Sequence, residues 1–218
     1  MSDAWKSGSR FAARGPQAPR EDGRSATRRD ILLRAAGLAG ALAGVGAASG
    51  ALAGGAAPSG SPAGDSTILN FALWLEYIEA GFYGEAVGKG KLPADLAGYA
   101  RTVYAHEQAH VAFLKQALGA KARVRPRMTF GSATTDPGAF TEAAITLEDT
   151  VVAAYNGQAA NLTSGALAAA ARIVSVEARH AAWIRAIAGL PPALHATDPL
   201  SSAAQVLATI RKTGFVKA

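Results

Sequence analysis

"YAHEQAHVAF", residues 104–113, sets Glu107 and His110 three positions apart in a stretch otherwise dominated by alanine and apolar residues. "VSVEARHAAW", residues 174–183, repeats the form with Glu177 and His180. Residues three or four apart share one face of a helix, so the first pair falls in the stripe Val103, Glu107, His110, Leu114. The second falls in Ile173, Glu177, His180, Ile184. In both, an acid and an imidazole sit on the side that should be buried. An unpaired buried carboxylate costs several kcal/mol, against the roughly 5–15 kcal/mol that holds a whole domain folded. Any fold that buries these stripes must supply a counter-charge.

Working outward, apolar residues recur at helical spacing from Thr67 to about Val87, with Asp65-Ser66 as the expected cap and "GKGK" as the stop. A second helix is expected from Pro93 to Leu118. Residues 120–136 are too long and polar for a tight turn and read as a crossover. Asp136-Pro137 opens a third helix running past Tyr155, and a fourth spans about 166–188, ended by Gly189 and Pro191-Pro192. Asp198-Pro199 begins a short fifth. Short connection, long crossover, short connection is the order of an all-α, four-helix bundle with its crossover between helices 2 and 3. The bundle is assigned to 67–190, with 58–66 a linker and 191–218 a C-terminal extension.

The bundle carries an internal repeat. Leu75-Glu76 precedes Tyr83 as Leu147-Glu148 precedes Tyr155, and each half then brings a Glu-x-x-His-x-x-aromatic, ending in Phe113 or Trp183. Glu76 and Glu148 also lie in apolar stripes, so four acids converge on the core. Two divalent cations would balance four carboxylates, and two neutral imidazoles would complete a nitrogen/oxygen ligand set suited to iron or manganese. Glu79 is the alternative acid on the first helix; Glu76 is preferred because only it repeats the seven-residue offset to a tyrosine. His106 is expected on the surface, His195 is assigned no role, and Tyr83 and Tyr155 are either partners of the acids or core aromatics.

On "LNFALWLEYIEAGFY", "HEQAHVAFL", "LEDTVVAAYNG" and "VEARHAAWIR", the chain resembles the ferritin-like superfamily of dinuclear carboxylate bundles, nearest to exported bacterial ferritin-like domain proteins. The resemblance implies a site of Glu76 and Glu148 as single carboxylates, Glu107 and Glu177 as bridging ones, and His110 and His180 as nitrogen ligands. It also implies Tyr83 and Tyr155 hydrogen-bonded beside the site, and two iron or manganese ions as cofactor. It permits chemistry on ferrous iron, oxygen or peroxide, as in a ferroxidase or a manganese catalase, without selecting one. The alternative is a non-catalytic bundle with a structural or lost metal, acting in envelope stress; some such proteins are called desiccation-related.

Composition narrows the rest. With no Cys, disulfides, iron-sulfur clusters and thiolate metal sites are excluded. The pI near 9.8 suggests nucleic acid, but residues 1–53 hold 8 Lys/Arg against 4 Asp/Glu while residues 54–218 hold 14 against 12. The basicity belongs to the N-terminus, and no nucleic-acid partner is expected. Lys121, Arg123, Arg125 and Arg127 read as a solvated edge. Residues 1–30 are polar and without apolar periodicity, which predicts disorder. The paired Arg28 and Arg29, followed by an apolar region over 31–57 that is uncharged and rich in small residues from 35 on, resemble a twin-arginine export signal cleaved near 53–57. That implies the twin-arginine translocase as a partner and a periplasmic or otherwise exported protein. An uncleaved leader would instead leave an inner-membrane anchor, and a homo-oligomer stays open.

Overall fold

Ser61, rather than Asp65 or Ser66, caps the first helix. The computed structural model describes residues 60–217, so Arg28, Arg29 and the expected cleavage region lie outside the described residues. Helix α1 runs Pro62–Lys89: the Ser61 hydroxyl accepts from the Gly64 N–H at 3.1 Å, and Pro62 takes a first-turn position where its missing N–H costs nothing. The expected linker is therefore helical from Pro62. Asp65 serves elsewhere: its carboxylate accepts from the Thr163 backbone N–H at 2.9 Å and hydroxyl at 2.6 Å. α1 ends at Gly90, whose φ of 59° suits glycine.

Helix α2 spans Ala94–Leu118, α3 Pro137–Gln158 capped by Asp136, and α4 Ser164–Ile187 capped by Thr163. Helix α5 spans Ala203–Thr213 and opens on a capping box of Ser202 and Gln205, later than the expected Asp198-Pro199 start. α1 packs on α2 and on α3, while α4 packs on α3 and on α2, closing a four-helix ring. α5 lies against α3. The two lone-glutamate helices are thus neighbours, as are the two Glu-x-x-His helices. Among the described residues no helix is long and apolar enough to cross a membrane.

The crossover needs partners for its backbone, and it finds them on both sides. Buried Asn70 of α1 donates to the Lys121 carbonyl and accepts from the Arg123 N–H, at 3.0 and 2.8 Å. Further on, the Thr129 N–H donates to the Phe215 carbonyl and the Lys217 N–H to the Arg127 carbonyl. Phe82, Phe130, Phe140 and Phe215 pack with ring centroids 5.1–5.9 Å apart, sealing that junction. Lys121, Arg123, Arg125 and Arg127 are exposed, as a solvated edge requires.

Candidate metal centre

Every one of the six expected ligands reaches the middle of the bundle. Glu76, Glu107, Glu148 and Glu177 are fully buried, His180 nearly so, and the His110 side chain is 12% exposed. Glu79 is fully buried beside them, so both acids offered by the first helix lie at the centre, which holds five carboxylates where four were counted. Two acids three apart on α1 share its inner face, which is why neither displaces the other.

Both imidazoles present Nδ1 to the acids. His110 Nδ1 lies 2.7 Å from Glu177, 3.2 Å from Glu76 and 3.4 Å from Glu107. His180 Nδ1 lies 3.2 Å from Glu107, 3.2 Å from Glu177 and 3.5 Å from Glu148. One ring nitrogen can carry one proton, so it cannot satisfy three carboxylates at once. Glu76 Oε2, Glu107 Oε1, Glu148 Oε2 and Glu177 Oε1 lie within ion-pair reach of a histidine but accept no well-formed hydrogen bond. Glu79 has neither kind of partner on either oxygen. Orphaned buried oxygens converging with imidazole nitrogens are what a hard divalent cation would satisfy.

Three sets of ligand atoms each lie within 4.8 Å of one another: Glu76, Glu107, His110 and Glu177; Glu107, Glu148 and His180; Glu79, Glu148 and Glu177. Glu107, Glu148 and Glu177 each enter two sets, and Glu107 and Glu177 are the two of these that also join the set around His110. The residues present therefore fit a nitrogen/oxygen cation site.

The tyrosines pair across the bundle rather than along their own helices. Tyr83 of α1 donates to Glu148 of α3 at 2.5 Å, and Tyr155 of α3 donates to Glu76 of α1 at 2.6 Å. Burial, reinforced by the neighbouring carboxylates, pushes both phenols well above their ordinary value and keeps them protonated donors. Tyr99 and His106 were missed in the sequence. Tyr99 also donates to Glu148, at 3.2 Å, and meets the Tyr83 hydroxyl at 3.2 Å. His106 is largely exposed, as expected, yet its Nδ1 lies 2.8 Å from His180 Nε2 and its ring stacks on that of His180. Its position four residues before His110, on the same side of α2, was the available signal.

Without a cation, protons must balance the acids. Burial pushes the Glu79 and Glu107 carboxyls well up, and lifts Glu148 to about 7. Burial alone would lower the two histidines, but surrounding carboxylates override it and push His110 and His180 up to about 12. For Glu177, burial raises the carboxyl, and the two histidines beside it outweigh that to leave the value lowered. A cleft of about 460 Å³ lies over His106, His110 and His180, with Arg179 and Trp183 also lining it.

A family model described as a ferritin-like domain matches residues 64–190. No curated protein matches the chain.

Proposed function

The chain belongs to the ferritin-like domain family, and on that premise we propose that it is an exported protein holding two iron or manganese ions, active toward oxygen, peroxide or ferrous iron. The observation that carries the reading is the set of four buried carboxylates within 3.5 Å of two imidazole Nδ1 atoms, with buried Glu79 beside them and, among the described residues, no Lys or Arg paired to any of them. Glu76, His110, Glu148 and His180 would serve as terminal ligands, and Glu107 and Glu177 as the shared ones. Bound there, iron or manganese supplies the redox chemistry. The protein's part is to hold the carboxylates, with Tyr155 and Tyr83 donating to Glu76 and Glu148, and to keep the site dry apart from the cleft over the histidines.

Metal analysis of protein produced with both metals available should find two equivalents, and a chelator should lower the melting temperature. Less than one equivalent, with melting unmoved by chelator, would sink the two-ion reading. The double variant Glu107→Ala, Glu177→Ala should lose the metal and stay helical. Export is supported by Arg28 and Arg29 and the small-residue run behind them; changing both to Lys should retain the protein in the cytoplasm, and normal export would point to another route or to a membrane-anchored leader.

A second reading has its own support. All five carboxylates are fully buried and the cleft touches only the histidine edges, as a keystone ion in a non-catalytic, stress-related bundle would need. Oxygen or peroxide consumption by the loaded protein separates the two: turnover favours the redox protein, and stabilisation without turnover favours the keystone.

A further inference from the structure

The repeat is not symmetric around its centre. The offset of 72 residues that carries Glu76 to Glu148 and Tyr83 to Tyr155 carries Glu79 to Val151. The offset of 70 that carries Glu107 to Glu177 and His110 to His180 carries His106 to Val176 and Tyr99 to Ala169. All three unmatched polar residues attach to the same half: Glu79 joins Glu148 and Glu177, Tyr99 donates to Glu148, and His106 bonds His180. In the other half Glu76 accepts from one tyrosine, Tyr155, and His110 and His180 both line the cleft. The side chain of His110 is 12% exposed against 3% for His180.

We propose that the two cation positions are unequal: the Glu148–His180 position, where Glu79 adds a fourth carboxylate, holds a resident divalent ion, and the Glu76–His110 position, whose histidine is the more exposed of the two, exchanges its ion. The proposal rests on the two-ion reading above. Glu79 offers a further carboxylate to one position only, and a carboxylate ionised by a bound cation acts strongly on it in a medium of low dielectric. His106 Nδ1 lies 2.8 Å from His180 Nε2; with Nδ1 of His180 ligating, its Nε2–H would donate to His106, which fixes the ring, a kind of support whose loss typically weakens a metal site 10–100-fold. Among the described residues no second histidine bonds the ring of His110 in this way.

The test is titration of the metal-free full chain with Mn(II), by calorimetry and equilibrium dialysis, with EPR at one equivalent. The wild-type protein should bind one ion tightly and a second more weakly, and one equivalent should give the spectrum of isolated Mn(II). Glu79→Gln should weaken the tight ion by roughly 10–100-fold and spare the weak one, while Glu76→Gln should do the reverse. Glu79→Met, an apolar residue of similar volume in a buried place, should reproduce the first result if the glutamine variant folds poorly. Two ions of equal affinity, a spectrum of coupled pairs at one equivalent, or Glu79 variants that leave the tight ion unchanged would each overturn the inequality and leave the two-ion reading standing. No Mn(II) bound by the wild-type chain would overturn that reading itself.

Discussion

Tyr155 and Tyr83 occupy corresponding places in the repeat, but their loss should not be equivalent. Glu76 Oε1 accepts from Tyr155 alone, whereas Glu148 Oε1 accepts from Tyr83 and, at 3.2 Å, from Tyr99. A buried acceptor stripped of its donor costs about 1–3 kcal/mol. Tyr155→Phe should therefore lower the unfolding free energy of the metal-free protein by that amount, and Tyr83→Phe by roughly half or less, since Tyr99 can take over. Urea titrations of the two variants make the comparison; equal losses would show that Tyr99 does not substitute. At this scale the sequence was informative where the repeat doubled the signal, as for Glu76, Glu148 and the two Glu-x-x-His pairs. Glu79 lost to Glu76 in that reading because it has no counterpart, although both share a helix face. The partner of His106 sits on another helix, where no periodicity points.

Among the elements, α3 shows how tightly the C-terminal segment is seated. A methyl group on Gly157 would stand 2.0 Å from the Ser201 carbonyl oxygen, and the Ser201 N–H donates to the Ala153 carbonyl at 2.9 Å. Backbone cannot yield there as a flexible side chain can. Gly157→Ala should destabilise the fold by on the order of 1–3 kcal/mol, read as a lowered urea midpoint, and should raise cleavage by protease around residues 190–202. An unchanged midpoint would mean that α5 docks independently of this contact. Helix number, order and the crossover followed from apolar spacing, caps and Gly/Pro punctuation. The start of α1 did not, because Asp65 has the character of a cap and instead serves Thr163 across the bundle. Nor did the pairing of Thr129 with Phe215 and of Lys217 with Arg127, which has no periodic signature.

For the whole molecule, the charges in the centre set a pH dependence. His110 and His180 rise from 6.5 to about 12 on folding, so the stability they contribute is complete below pH 6.5 and is lost as pH climbs toward 12. Glu148, raised from 4.5 to about 7, acts with the same sign, its share being lost between those values. The lowered Glu177 acts oppositely, and its contribution is lost in acid. The melting temperature of the metal-free protein should thus fall steadily from pH 6 to pH 9. Saturating Mn(II) should reverse the trend, because ligation needs unprotonated imidazole and releases protons. Thermal melts across that range, with and without metal, check both signs.

The crossed tyrosines have a consequence for assembly. The bonds Tyr83–Glu148 and Tyr155–Glu76 join residues 65 and 79 apart in the chain, each linking one helical hairpin to the other. A hairpin that has formed alone holds a Glu-x-x-His pair and a lone carboxylate but lacks the hydroxyl that steadies that carboxylate. Local helix formation is fast, and contacts this distant close last. On the proposed function, capture of metal should trail the docking of the hairpins, and a loaded centre would be a chemical record that the chain has finished folding.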